Sequence, residues 1–120
     1  MVKKTLVLGA SLNTQKYSNK AVKALISKGL DVVALGNKVG FIDKIKVIEA
    51  KKIYNNIHTV TIYLNRKFQG QFYNYVLELN PKRVIFNPGT ENQEFYKILE
   101  KRSINYEESC TLVLLSTDQF

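Results

Sequence analysis

Short apolar runs alternate with amphipathic stretches along the chain. Thr5–Leu8 is almost wholly apolar, and Thr59–Leu64 is rich in β-branched and aromatic residues, which is typical of buried strands. Between such runs, apolar residues recur at helical spacing, as at Val22, Leu25 and Ile26. This alternation predicts an α/β fold, in which helices cover both faces of a mostly parallel sheet.

The predicted sheet is Rossmann-like and has five strands in the order 3-2-1-4-5. Because parallel strands need crossover connections, each strand is followed by a helix or a longer excursion. No repeat, low-complexity tract or linker interrupts the pattern, so residues 1–120 are expected to form a single domain. The predicted strands are Thr5–Leu8, Leu30–Leu35, Ile57–Leu64, Arg83–Phe86 and Ile104–Glu107.

Helix ends are marked by specific residues. Lys16–Lys28 is predicted as the first helix, with Gly29 as its C-cap. Pro81 closes the second, and a capping box that starts at Thr90 opens the third. Two segments are less regular. Gly36–Val47 is expected to be a turn-rich excursion with a brief strand or edge segment, and Leu112–Leu115 a final helix or an edge piece.

The charge of the chain favours anionic partners. Its 18 basic and 10 acidic residues give a net charge of +8, which suits phosphorylated ligands, nucleic acid or an acidic surface. No block of like charges and no aromatic RNA-binding motif is present, so the pattern does not favour nucleic acid. A module that binds nucleic acid or another protein through its basic surface is the third hypothesis for function.

Cysteine content and hydropathy exclude several classes of protein. Cys110 is the only cysteine, which rules out an intrachain disulfide and an all-cysteine metal site. No apolar stretch approaches the roughly 20 residues of a membrane span. The residues that precede the first strand are too few for a signal peptide, so a cytoplasmic location is expected. The sequence leaves the oligomeric state open.

The loop after the first strand carries the leading functional signal. Gly9-Ala10-Ser11-Leu12-Asn13 joins a buried strand to a helix, an arrangement that presents backbone N–H groups and a helix N-terminus to a phosphate. The G-x-G-x-x-G pattern of dinucleotide sites fails, because Ser11 and Thr14 stand where its later glycines would be. Nucleotide-type binding without that fingerprint is therefore the leading hypothesis.

A second polar loop, Asn87-Pro88-Gly89-Thr90, leaves the fourth strand. In open parallel sheets, ligands bind at the carboxyl ends of the strands where the strand order reverses, here predicted between strands one and four. Both polar loops therefore fall on the predicted binding edge. The alternative is that Gly9 and Gly89 serve turn geometry only and that Thr90 is a plain N-cap.

These loops resemble a known family. Val7-Leu8-Gly9-Ala10-Ser11 with Asn13, followed by Tyr17-Ser18, is similar to the start of the small bacterial CoA-binding proteins, which share the fold of the nucleotide-binding domain of succinyl-CoA synthetase. Gly36-Asn37-Lys38 departs from the Asn-Pro pair that the family more often has. Further matching segments are Gly40-Phe41-Ile42, Tyr63-Leu64-Asn65, Asn87-Pro88-Gly89-Thr90-Glu91-Asn92 and Cys110.

The resemblance implies that the chain binds coenzyme A (CoA) or a short acyl-CoA, and the scarcity of candidate catalytic residues leads us to expect no catalytic activity of its own. The diphosphate would lie over the first loop and the pantetheine arm near the second. The residues implied in binding are Gly9, Ala10, Ser11, Asn13, Lys16, Tyr17, Ser18, Asn37, Lys38, Leu64, Asn65, Asn87, Pro88, Gly89, Thr90 and Cys110.

The end of the second strand favours CoA over NAD. NAD sites usually place an acid there for the ribose hydroxyl, whereas this chain reads Leu35-Gly36-Asn37-Lys38. A basic residue would instead complement the 3′-phosphate of CoA, and Lys38 and Lys16 are the candidates. An enzyme or sensor that binds NAD or another nucleotide remains the alternative.

Candidate catalytic residues are few. His58, the only histidine, precedes the third strand at the edge opposite the ligand loops, and is interpreted as structural. Cys110 is expected after the fifth strand, near the thiol end of the ligand and close to a helix start, where it could act as a nucleophile. Its alternative role is that of a buried small apolar side chain. No P-loop, nucleophile elbow or metal-ligand spacing is present.

Overall fold

The computed structural model describes residues 3–120, which form one seven-stranded sheet with four helices on its two faces. Two short 3-10 turns, Arg66–Phe68 and Gly70–Phe72, lead into the second helix. The strands are β1 Thr5–Leu8, β2 Val32–Leu35, β3 Gly40–Ile42, β4 Ile45–Ile48, β5 Thr59–Ile62, β6 Arg83–Phe86 and β7 Asn105–Glu108. The helices are α1 Tyr17–Ser27, α2 Tyr73–Leu79, α3 Gln93–Lys101 and α4 Thr111–Ser116.

The strand order is β3-β4-β2-β1-β5-β6-β7, and only the β3–β4 pair is antiparallel. The α/β, Rossmann-like class is therefore confirmed, whereas the predicted count of five strands and their order are wrong. The strand predicted as third is β5, which pairs with β1 on the side opposite β2. The place beside β2 belongs to β4, from the segment predicted as a turn-rich excursion. The order therefore reverses between β1 and β5, not between strands one and four.

Burial explains the positions of β4 and β5. All four residues of β5 are buried, which suits a central strand covered on both faces. In β4 only Val47 is buried, and Lys46 is exposed, as expected near the edge of the sheet. The alternating apolar pattern of β4 is too short to be distinguished from an irregular segment in the sequence.

Two core layers lie on the two faces of the sheet. Leu6 and Leu8 of β1 point to the layer covered by α2 and α3, while Val7 points to the layer covered by α1 and α4, as the two-residue period of a strand requires. Phe86 anchors the first layer, with its ring edge-to-face against Phe95 at 5.5 Å between centroids. Mainly apolar layers thus cover both faces of the sheet.

The predicted helices are present, with shifted caps. Lys16 and Lys28 are the caps of α1, so the C-cap is Lys28 and not Gly29 as predicted; Gly29 follows the cap with φ +75°. The segment predicted as a final helix or an edge piece is the helix α4. No helix within residues 3–120 has both the length and the apolar character that a bilayer crossing requires.

The start of α3 differs from the prediction. Asn92, not Thr90, is its N-cap, and the Asn92 side chain accepts a hydrogen bond from the Phe95 N–H at 3.2 Å. The Thr90 hydroxyl instead donates to the Asn87 carbonyl oxygen at 2.7 Å, closing the turn after β6. Thr and Asn are both good cap residues, so the local sequence alone does not choose between them.

We expect Phe95→Ala to lower the free energy of unfolding by about 3–5 kcal/mol, because it empties a fully buried aromatic site. Phe41→Ala is the matched control, since Phe41 is 67% exposed, and it should change stability by less than about 0.5 kcal/mol. Urea denaturation followed by circular dichroism measures both values. Similar losses for the two variants would contradict this account of the core.

Candidate functional site

A cavity of about 720 Å³ opens at the carboxyl edge of the sheet, within the size range of small-molecule sites. Its walls come from the loops that follow β1, β2, β4, β5 and β6 and from the start of α1. It spans the point between β1 and β5 where the strand order reverses. Of the residues predicted from the sequence, it is lined by Gly9, Ala10, Ser11, Lys16, Tyr17, Ser18, Asn37, Leu64, Asn65, Pro88, Gly89 and Thr90.

The loop between β1 and α1 is held by its own hydrogen bonds. The N–H groups of Gly9 and Ala10 both donate to the Leu35 carbonyl oxygen, at 2.8 and 2.9 Å, so the loop leans over the end of β2. The Ser11 N–H donates to the Ser18 hydroxyl at 3.1 Å, and the Asn19 amide donates to the Ser11 carbonyl oxygen at 2.9 Å. The loop is therefore fixed to the first turn of α1.

The N-terminus of α1 lacks an internal cap. Lys16 occupies the N-cap position without a capping side-chain hydrogen bond, and the first turn holds no acidic residue. The first N–H groups of a helix carry a partial positive charge, which is left uncompensated here. Lys16 and Tyr17 are exposed and line the cavity, so this end of the helix is both positive and accessible.

Two glycines allow the close packing of these loops. Gly9 has φ +95°, and a Cβ there would lie 3.0 Å from the Leu64 side chain and 3.1 Å from the Tyr63 carbonyl carbon. Gly36, which the sequence analysis did not single out as a site residue, is tighter still, because a Cβ would lie 2.2 Å from the Ala10 carbonyl oxygen. Packing within the protein therefore requires glycine at both positions, independently of any ligand.

Buried amide side chains join the loops on the other side of the cavity. Gln69 is fully buried, and its Nε2 donates to the carbonyl oxygens of Leu64, at 2.9 Å, and Thr90, at 2.7 Å. Its Oε1 accepts a hydrogen bond from the Asn92 amide at 2.9 Å. We call this arrangement the Gln69 bridge. It ties the loop after β5 to the loop after β6 and keeps both at the cavity wall.

Asn87 has a similar structural role. Its Nδ2 donates to the Thr61 hydroxyl, at 2.6 Å, and to the Ile62 carbonyl oxygen, at 2.9 Å, while its Oδ1 accepts from the Thr111 N–H at 2.8 Å. The side chain is only 2% exposed and joins the ends of β5 and β6 to the start of α4. Both amide hydrogens are already used within the protein.

Tyr63 places a buried hydroxyl next to this network. No residue in the described part of the chain forms a hydrogen bond of good geometry with its hydroxyl oxygen. Burial raises the pKa of Tyr63 to about 12, an effect that outweighs the opposing influence of the neighbouring Thr111 hydroxyl. Tyr63 therefore remains neutral at physiological pH, and its hydroxyl is buried although the residue lines the cavity.

Four predicted site residues do not reach the cavity wall as the structure describes it. The Asn13 side chain accepts from the Gln15 N–H at 2.9 Å and shapes a turn, and Lys38 is exposed beyond the wall. Asn87 is buried beneath the wall, and Cys110 is the N-cap residue of α4. The structure thus keeps the two predicted loops together but gives these residues positions around them.

Several residues that line the cavity were not predicted from the sequence. Glu49 and Lys51 come from the segment after β4, and Phe68 and Phe72 from the 3-10 turns after β5. Neither segment has a periodic pattern or a recognised motif, so nothing in the sequence marks it as part of a site. Phe68 is 52% exposed at the rim of the cavity, which only the folded structure reveals.

His58 lies at the amino end of β5, opposite the cavity, as predicted. Burial lowers its pKa, and the positive charges of Lys3, Arg83 and Lys82 lower it further. Its Nδ1 is 2.8 Å from the Thr59 hydroxyl. Within residues 3–120, no group of three or more His, Cys, Asp or Glu side chains is placed to hold a metal ion.

Comparison with known proteins gives a family and several similar structures. The sequence profile of the family described as CoA binding domain matches residues 3–116. A crystal structure of an uncharacterized protein, 42% identical, covers 100% of this chain and 99% of its own, with a TM-score of 0.96. A conserved hypothetical protein from Pyrococcus furiosus is 29% identical over 94% of this chain and 98% of its own, with a TM-score of 0.81.

A structure from Thermus thermophilus shares the fold at 17% identity, with a TM-score of 0.88 over 99% of this chain and 91% of its own. No curated protein matches the chain.

We expect Gln69→Leu to lower the free energy of unfolding by at least about 2 kcal/mol, because it leaves the buried partners of the Gln69 bridge without hydrogen bonds. Gln71→Leu, two residues away and exposed, should change it by less than about 0.5 kcal/mol. Chemical denaturation of both variants measures the difference. Wild-type stability for Gln69→Leu would show that the bridge does not hold the loops.

Proposed function

The chain belongs to the CoA binding domain family, and from this premise we propose that it binds CoA or a short acyl-CoA in the cavity at the carboxyl edge of the sheet. The observation that carries the proposal is the convergence of an uncapped helix N-terminus and a lysine with the glycine loop on one wall of that cavity. An anionic ligand is the natural complement of this wall.

The diphosphate is assigned to Gly9, Ala10, Ser11 and the start of α1. The first N–H groups of α1 and the ammonium group of Lys16 would both be stabilised by a doubly charged group at this position. The tight packing of Gly9 against Leu64 means that Gly9→Ala would disturb the protein itself, so this substitution is not a clean test of ligand contact.

The part of the cavity assigned to the adenosine group, at the end of β2, favours CoA over NAD. The cavity wall at the end of β2 is formed by Leu35, Gly36 and Asn37, which offer no carboxylate to a ribose diol. The carboxylate of the wall, Glu49, follows β4, one strand further out. An NAD site would need the acid one strand nearer to the diphosphate loop.

The pantetheine arm is assigned to the walls formed after β5 and β6. Leu64 and Asn65 lie on one side and Pro88, Gly89 and Thr90 on the other, joined beneath by the Gln69 bridge. These residues offer apolar and uncharged polar surface, which suits an uncharged arm with two amide groups. Since Cys110 lies outside this wall, we assign the thiol end to the Pro88–Thr90 loop instead.

The proposed activity is binding without catalysis by this chain alone. His58 lies at the opposite edge of the sheet, and Tyr63 has a raised pKa that keeps its proton in place. A general base must lie within hydrogen-bond reach of its substrate, which His58 does not. A carrier or sensor of CoA is the function that these features support.

We expect CoA to bind at least about tenfold more tightly than NAD or FMN, with an affinity that falls as salt is raised, because the attraction is to a diphosphate. Lys16→Met should weaken CoA about three- to tenfold, since it removes a charge from the diphosphate wall. Isothermal titration calorimetry measures each affinity.

Lys23→Met is the matched control, because Lys23 is exposed on the same helix and away from the cavity; it should leave affinity unchanged. Tighter binding of NAD or FMN than of CoA would contradict the proposal and favour the nucleotide-binding alternative.

A further inference from the structure

Lys51 supplies a second positive charge to the cavity, on the side away from Lys16. It follows β4 and lies against Phe72, whose side chain packs on the core layer covered by α2 and α3. Lys16 lies at the start of α1, whose side chains pack into the other core layer. The two lysines of the cavity wall therefore flank the ends of the strands from opposite faces of the sheet.

The ammonium group of Lys51 is held in a defined position. Its Nζ donates to the Gln71 carbonyl oxygen at 2.6 Å and lies 4.8 Å from the centroid of the Phe72 ring. An ammonium group has three hydrogens, so two remain available after this bond. The carbonyl and the ring orient the group but do not neutralise it, because neither carries a net charge.

No carboxylate in residues 3–120 lies within ion-pair distance of Lys51. Glu49 also lines the cavity and stands two residues earlier, so the local charge is mixed, but the two side chains are not paired. An oriented, unneutralised cation in a cavity is placed to bind an anion from the ligand.

Two cations on opposite faces of the sheet suit a ligand with two separated anionic groups. CoA has such groups, because its ribose carries the diphosphate on the 5′ carbon and a single phosphate on the 3′ carbon. NAD carries the diphosphate alone. Lys38, the candidate from the sequence, is exposed and outside the wall, so it does not fill this role.

We propose that Lys51 binds the 3′-phosphate of CoA and thereby selects CoA over ligands that lack this phosphate. The inference rests on the proposed function and adds the residue that sets its specificity. In this arrangement Lys16 binds the diphosphate and Lys51 binds the 3′-phosphate.

The test is calorimetric titration of CoA and 3′-dephospho-CoA into wild-type protein and single variants. Lys51→Met should weaken CoA about tenfold and leave 3′-dephospho-CoA within about twofold of its wild-type affinity. Lys16→Met should weaken both ligands alike, because both carry the diphosphate. Glu49→Gln should raise the preference for CoA, because it removes a negative charge from the same wall.

Lys52→Met is the matched control, since Lys52 adjoins Lys51 in the chain but does not line the cavity. It should preserve both affinities, and circular dichroism of each variant checks that the fold is intact.

Equal losses of both ligands in Lys51→Met, or no loss of CoA, would overturn the assignment of Lys51. If only Lys38→Met lost the preference for CoA over 3′-dephospho-CoA, the 3′-phosphate would be assigned to Lys38 instead. If wild-type protein binds neither CoA nor 3′-dephospho-CoA, the proposed function itself fails. These results are distinguishable, because the wild-type titrations test the function and only the ratio in Lys51→Met tests the residue.

Discussion

The buried amide hydrogen bonds at the carboxyl edge of the sheet are the constraint on which the cavity depends. Where parallel strands end, their loops carry backbone polar groups that must be paired or left in water. Gln69, Asn87 and Asn92 pair several of these groups from beneath the loops, with both faces of the sheet sealed by apolar layers. These hydrogen bonds join the loops after β5 and β6 beneath the cavity, of which the two loops form one side.

The central part of the fold could be predicted because its signals are local. β1, β5 and β6 are short runs buried on both faces, and α1 has an apolar stripe ending at a glycine, so their types followed from pattern alone. Strand order could not be obtained in this way. Both β4 and β5 are consistent with a neighbour of β2, and only burial in the folded sheet decides that the half-exposed β4 takes the edge side.

The residues of the candidate site also differ in how far local sequence signals could identify them. Gly9, Ser11 and Thr90, which were predicted because ligands bind where parallel strands end, all line the cavity. Asn87 and Asn92 were read as a ligand residue and a helix residue, but each serves packing through partners distant in the sequence. Lys51 and Phe72 were missed, because they come from irregular segments whose positions depend on contacts such as that between Lys51 and Gln71.

The contact between Gly36 and Ala10 has a consequence for how this scaffold could change its ligand. Gly36 directly follows β2, close to where an NAD enzyme would carry its ribose-binding acid, yet any side chain there collides with the Ala10 carbonyl oxygen. A single substitution at that position cannot introduce such an acid, because the loop between β1 and α1 would have to move as well. Backbone packing therefore prevents an acidic residue at position 36. An acid for an NAD ribose would have to be introduced at Asn37, or the loop between β1 and α1 would have to be redesigned.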